Sequence, residues 1–228
     1  MWARFVALQR RRPGGFAIAA LMRPADPSVG EDETLWLERA REAASLGPLG
    51  HHTHWTAPDH ARPTGTGTGT GERVLAEGTR LRELSLTPTL FCGGGWYTDP
   101  EVAEACAELG YVDCTPRAQR PPYLARSERW ASLAAPAVVD LPSGRPLRAI
   151  PTTHSLGDLT RSLASRDLPS CVHVYFHDTD LLDRRRRVLL HVALPILARR
   201  ARATDLDALA VRTFASSPRT AWDDVARL

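Results

Sequence analysis

Short apolar runs, each closed by glycine, proline or another turn residue and each followed by an amphipathic helical pattern, recur along most of the 228 residues. This alternation constrains the fold more than any other feature, because strands separated by helices pair in parallel and need helices to cover their faces. The apolar runs Phe16–Met22, Leu49–His54, Pro88–Cys92, Tyr111–Cys114, Ala137–Leu141, Leu147–Ile150 and Cys171–Phe176 read as strands. Helical periodicity falls at Glu33–Ser45, with Trp36, Ala40, Ala43 and Ala44 on one face, and at Glu72–Leu84. A third helix has Asp99 as N-cap, Pro100 at its first position and Gly110 as its terminating residue. The last two patterns, Thr179–Arg202 and Asp205–Phe214, follow the final strand, and Pro195 is expected to break the first of them. About six β/α units suit a distorted or incomplete (β/α) barrel better than an open sheet, so the expectation is an α/β fold in one domain over residues 1–228. The Thr-Gly repeat between Thr64 and Gly71 reads as a flexible surface loop inside that domain.

Composition narrows the chemistry. With 43% hydrophobic and 24% charged residues the chain can bury a sizeable core. The sequence contains no Lys, so all 29 basic residues are Arg. That excludes a P-loop lysine, a pyridoxal Schiff base and an amine nucleophile. Asn is also absent, which removes N-glycosylation acceptors. Cys92, Cys106, Cys114 and Cys171 are too widely spaced for a CxxC motif and read as buried thiols. No run approaches the roughly 20 apolar residues of a membrane span. Phe16–Met22 is short for a signal-peptide core, so a cytoplasmic location is expected for the chain as given. The Arg184–Arg187 run reads as a solvated helix face, and a net charge of +3 gives no basis for a nucleic-acid partner.

Histidines carry the functional signal. In His51-His52-Thr53-His54-Trp55, strand alternation points His52 and His54 one way and His51 the other. Two imidazoles converging at a strand end suit zinc or a similar divalent ion; the alternative is that they are ordinary structural histidines. In Val172–Asp180 the same alternation puts Val172, Val174 and Phe176 on a face for covering helices and His173, Tyr175 and His177 toward a barrel interior. His177 then sits at the C-terminal rim as a general-acid candidate, with Asp178 and Asp180 near enough to orient or charge it; the alternative is that Asp178 or Thr179 caps the following helix. The triple glycine Gly93-Gly94-Gly95 lets the backbone approach a ligand, and Trp96 and Tyr97 beside it are placed to hold a sugar face or to pack. It is not a GxGxxG fingerprint. No GxSxG elbow is present, and His154-Ser155 has no base–nucleophile context.

In order and layout these features resemble the polysaccharide deacetylase family, the NodB-homology domains of carbohydrate esterase family 4, over nearly the whole chain. The resemblance rests on Phe16–Met22 as a strand after a first helix, Gly50–Trp55 as the histidine metal motif, Thr87–Tyr97 as the ligand loop, Gly110-Tyr111, and Val172–His177 as the final histidine motif. It implies a distorted β/α barrel in which a divalent metal, zinc in first place, activates water to remove acetyl groups from a carbohydrate. It further implies metal ligands His52, His54 and His60, catalytic His177 with Asp178, and a substrate side formed by Gly94, Gly95, Trp96, Tyr97 and Asp113. The family's acidic pair on the first strand has no counterpart, since no residue before Phe16 is acidic. The metal histidines stand two apart rather than four. Arg120-Pro121-Pro122-Tyr123 matches the family's arginine motif in letters but falls after Gly110-Tyr111, so by order the equivalent loop is Phe91–Trp96 and lacks the arginine. Two alternatives follow: a barrel that binds a glycan without turnover, and a His-x-His metallohydrolase of the amidohydrolase or PHP type.

Overall fold

The computed structural model of the chain describes residues 1–56, 69–117, 120, 132–165 and 168–226. Four β/α steps open the fold. Helix α1 (Trp2–Arg11) leads into β1 (Ala20–Met22), then α2 (Glu33–Leu46), β2 (Leu49–Thr53), α3 (Thr70–Glu83), β3 (Leu90–Gly93), α4 (Pro100–Glu108) and β4 (Val112–Asp113). These strands lie side by side in chain order, all parallel, with Ala20 opposite Leu49, Gly50 opposite Leu90 and Leu90 opposite Val112. The helix starts follow from local chemistry: the Asp32 side chain accepts from the Leu35 N–H at 2.9 Å and that of Asp99 from the Val102 N–H at 2.8 Å. Gly50 has no room for a side chain, since a Cβ there would lie 2.8 Å from Leu21 and 3.0 Å from Leu90.

Next comes a hairpin of β5 (Ala137–Asp140) and β6 (Pro146–Ala149), with β6 parallel to β4 and β5 antiparallel to β6; β9 (Arg219–Ala221) pairs on the far side of β5. The chain leaving β6 stays beside β4, because the Ile150 N–H bonds to the Asp113 carbonyl and the Thr152 N–H to the Cys114 carbonyl. It then enters β7 (His154–Ser155), which pairs in parallel with β8 (Val174–Tyr175). The strands β1, β2, β3, β4, the 150–155 segment and β8 therefore follow one another in a curve, while β5 and β9 extend outward from it. The result is a mixed, mostly parallel sheet of the distorted (β/α) barrel kind. Among the described residues no ladder joins β8 back to β1. Phe16 and Ile18 on one side and Val172, Val174 and Phe176 on the other instead share an apolar cluster with α5 (Leu156–Ala164) and α6 (Arg184–Ala198).

Several expected elements change extent. Pro13 with Gly14 and Gly15 forms a short 3₁₀ turn, so the first strand begins at Ala20 rather than Phe16. The final strand shrinks to Val174–Tyr175, paired with β7, and the His173 carbonyl before it accepts from the Thr153 and His154 N–H groups. Helix α5 was not anticipated, although Ser155 and Asp158 form a capping box at its start. Thr70 and Gly71, expected within a loop, open α3. Gly71 permits this, since a Cβ there would meet the Glu101 carbonyl oxygen at 2.7 Å where α3 packs on α4. Gly69 stands at the N-cap of α3 in left-handed backbone, at φ 76, and residues 64–68 of the repeat lie outside the described residues. No helix among the described residues is long and apolar enough to cross a membrane.

Pro195 does not break its helix: α6 runs through it from Arg184 to Ala198, its inner face buried through Leu190, Ala193, Leu194 and Leu197. Burial of that face outweighs the missing N–H and the ring clash, which together cost about 3 kcal/mol in a helix interior. Pro195→Ala is therefore expected to raise stability by about 1–2 kcal/mol, after allowing for the extra freedom Ala gives the unfolded chain. A urea unfolding series reads this directly, and an unchanged or lower midpoint would mean that α6 already absorbs the proline without strain.

Candidate functional site

A cavity of about 900 Å³ lies inside the curve of strands. His52 and His54 from β2, Gly95 and Trp96 from the turn after β3, and Tyr175 and His177 from β8 all line it. His54 directly follows β2, Trp96 lies three residues beyond the end of β3, and His177 two beyond the end of β8. The polar groups thus gather at the carboxyl ends of parallel strands, where loops of this architecture carry chemistry.

Strand alternation divides the β2 histidines. His51 is fully buried on the outer side, its Nε2 2.9 Å from Glu77 Oε2, with the rings of Phe91 and Tyr111 edge-on to it. Glu77 also accepts from Thr53 Oγ1 at 2.8 Å and Arg73 Nε at 2.9 Å. Burial alone would push the Glu77 carboxyl up, but the bonds from His51, Arg73 and Thr53 hold it below its ordinary value. His51 is thereby committed to packing α3 onto the sheet.

His52 faces the cavity. Its Nδ1 lies 2.7 Å from the carbonyl oxygen of Cys92. A carbonyl can only accept, so the ring proton sits on Nδ1 and Nε2 keeps its lone pair. Burial, followed by the neighbouring His54, lowers the His52 pKa to about 4, with a smaller contribution from His177. The His54 ring stands edge-on at 4.9 Å. His173 is held the same way, with Nδ1 3.0 Å from the Ile150 carbonyl and a pKa lowered by burial to about 4.

The glycine turn sets the aromatic side. A Cβ on Gly93 would lie 2.0 Å from the Tyr97 carbonyl oxygen. Gly95 and Trp96 both take left-handed backbone, at φ 61 and 66. Such a φ is costly for tryptophan, by about 1–2 kcal/mol, and turns its indole into the cavity. The Trp96 ring lies 6.3 Å from Tyr175, which lies 5.7 Å from His177, each pair edge-on. Trp55 braces the turn by donating its indole N–H to the Gly94 carbonyl at 3.0 Å.

Not every residue expected at the site reaches it. Tyr97 is buried against Trp55 and donates its hydroxyl to Asp99 at 2.7 Å, while Gly94 is buried beneath the turn. Asp113 is turned away from the cavity. Its neighbour Cys114 lines the cavity, so alternation sends Asp113 outward, where it pairs with Arg117 at 3.0 Å. Gly94, Tyr97 and Asp113 thus build the wall rather than the lining. Asp178 stands exposed at the cavity rim and accepts from the Thr179 N–H at 2.7 Å, whereas Asp180 accepts from the His177 N–H at 3.0 Å and pairs with Arg186. His60 lies outside the described residues. Among the described residues no three His, Cys, Asp or Glu side chains converge on one ion position; His52 and His54 supply two imidazoles. The sequence reading passed over Cys92, whose thiol lines the cavity and is pushed up to about 12, chiefly by burial and then by Asp113. It stands opposite His52 in the β2–β3 register, a pairing that the sequence does not show.

No family model and no curated protein matches the chain. Among solved structures, the crystal structure of 4-alpha-glucanotransferase from Thermococcus litoralis is similar, with a TM-score of 0.57 at 12% identity. The match covers 96% of this chain and 37% of that one. At this identity the likeness is one of fold: nearly the whole chain shares the architecture of part of an enzyme named for transferring glucans.

Proposed function

We propose that the chain is a metal-dependent hydrolase acting on a carbohydrate, of the acetyl-removing type, with a divalent ion, zinc in first place, on His52 and His54. The observation that carries this reading is the convergence of His52, its Nε2 unprotonated, with His54 and His177 on one cavity beside Trp96 and Tyr175. The carbonyl of Cys92 does for His52 what outer partners do for metal-binding imidazoles generally: it fixes the tautomer and the ring plane. A bound metal would supply the polarisation of the acyl carbonyl and the lowered pKa of an attacking water. Trp96 and Tyr175 offer ring faces and edges to a sugar. His177, its backbone held by Asp180, gives a proton to the departing amine or hydroxyl. Cys92 stays a protonated thiol and takes no part as a nucleophile.

The test is metal content by elemental mass spectrometry, together with acetate released from an N-acetylglucosamine oligomer. His52→Ala and His54→Ala are expected to lose the metal, and His51→Gln to retain it. His177→Gln should lower turnover on the order of 10²-fold with metal content unchanged. Equal metal loss from His51→Gln would sink the two-face assignment. A second reading, glycan binding without turnover, is favoured by the absence of a third ligand among the described residues. It predicts quenching of tryptophan fluorescence by the oligomer with no acetate released.

A further inference from the structure

A barrel of this kind ordinarily fills its interior with layers of branched side chains. Here the lining from β1 to β4 and their approaches includes the small residues Ala17, Ala19, Cys92, Gly93 and Cys114 beside the larger Ile18, Leu21 and Met22. The space they leave is continuous with the unpaired seam between β8 and β1. There the walls are Phe16, Ile18, Val172 and Val174, backed by Leu194 of α6 and Leu209 of α7 (Leu206–Thr213). The lining is predominantly apolar. Its charged members are Arg23, ion-paired to Glu31, Asp205, which caps α7, Asp178 at the rim, and Arg39 and Arg202. About 900 Å³ is at the upper end of small-molecule sites and far beyond what an acetyl group occupies. A sugar alone would leave its hydroxyls facing hydrocarbon, which is costly without partners. A linear hydrocarbon chain needs no partners, and the seam offers it apolar walls in Phe16, Ile18, Val172 and Val174.

We propose that the cavity takes an amphiphile: a sugar headgroup at His52, His54, Trp96 and His177, and a linear acyl or alkyl chain along the seam between β1 and β8. This deepens the carbohydrate reading and rests on it for the headgroup only.

Binding of alkyl β-glucosides with chains of two to ten carbons, below their micellar concentrations, tests this by calorimetry on the full chain. Affinity is expected to rise about threefold to fourfold for each added methylene until the chain fills the seam. Ala19→Phe and Val172→Phe, each placing a ring in the lining, should flatten that dependence. Circular dichroism checks that both variants remain folded, and the wild-type series stands without them. Affinity independent of chain length overturns the proposal and leaves the carbohydrate reading intact. A steep chain dependence shared equally by alkyl sulfates and alkyl maltosides supports the chain site and removes the sugar headgroup instead.

Discussion

Stability of the chelator-treated protein is expected to collapse between pH 6.5 and 4, well before most carboxylates titrate. His52 and His173 each have a pKa of about 4 in the fold, mainly through burial, against 6.5 for a free imidazole. Above pH 6.5 both are neutral, folded or unfolded, and contribute nothing to the pH dependence. Between 6.5 and 4 the unfolded chain takes up two protons that the folded chain refuses, so stability is lost as pH falls, at a slope approaching about 2.7 kcal/mol per pH unit. Over the window this is comparable with the whole stability of an ordinary domain, roughly 5–15 kcal/mol. Urea midpoints taken every half pH unit would show it. His173→Gln should remove about half the slope, and a curve flat down to pH 4.5 would mean that neither imidazole is as desolvated as its surroundings indicate. Added zinc should shift the onset of the loss to lower pH if His52 binds it, because metal and proton compete for the same Nε2.

Arg117→Met is expected to cost about 3–5 kcal/mol, among the largest single effects in the molecule. Arg117 is 1% exposed and Asp113 3%; the guanidinium reaches Asp113 Oδ2 at 3.0 Å and Thr98 Oγ1 at 3.2 Å, and lies 5.0 Å over the Trp222 ring. Removing the cation leaves a buried carboxylate with the Thr115 N–H as its remaining partner among the described residues. Replacing both, as in Arg117→Met with Asp113→Leu, removes the unpaired charge and should cost far less than the two single changes added together. A double-mutant cycle in urea measures that coupling. A double variant as damaged as the sum would show that Arg117 acts through packing on Trp222 instead. Either way Asp113 bears on stability, and ligand binding in the cavity should be unchanged in whichever variants remain folded.

Much of this was legible in local sequence. Alternation in His51-His52-Thr53-His54 separates the imidazole that meets Glu77 from the two that face the cavity, since successive strand residues point to opposite sides. Asp32, Asp99 and Asp205 announce helix starts because a short acidic side chain satisfies free N–H groups one turn ahead. The same alternation puts Val172, Val174 and Phe176 in the apolar cluster with α5 and α6, but all three also reach the cavity, which alternation alone did not predict. Other features had no local signature. Tyr97 follows Trp96 directly, yet one ring is buried against Trp55 and the other turned into the cavity, because Gly95 and Trp96 are both left-handed while Tyr97 is extended. Pro195 sits inside a helix because four buried residues hold that helix in place.

The sequence by itself determined most of the strands and helices, several of their caps, and which side chains of β2 share a face, because these depend on neighbours a few residues apart. The tertiary structure alone decided that His51 meets Glu77 of α3, that the buried Arg117 lies over the Trp222 ring, and that β8 leaves an apolar seam beside β1. Those outcomes depend on which distant surfaces meet, and on whether a buried charge finds its partner, which no local pattern encodes.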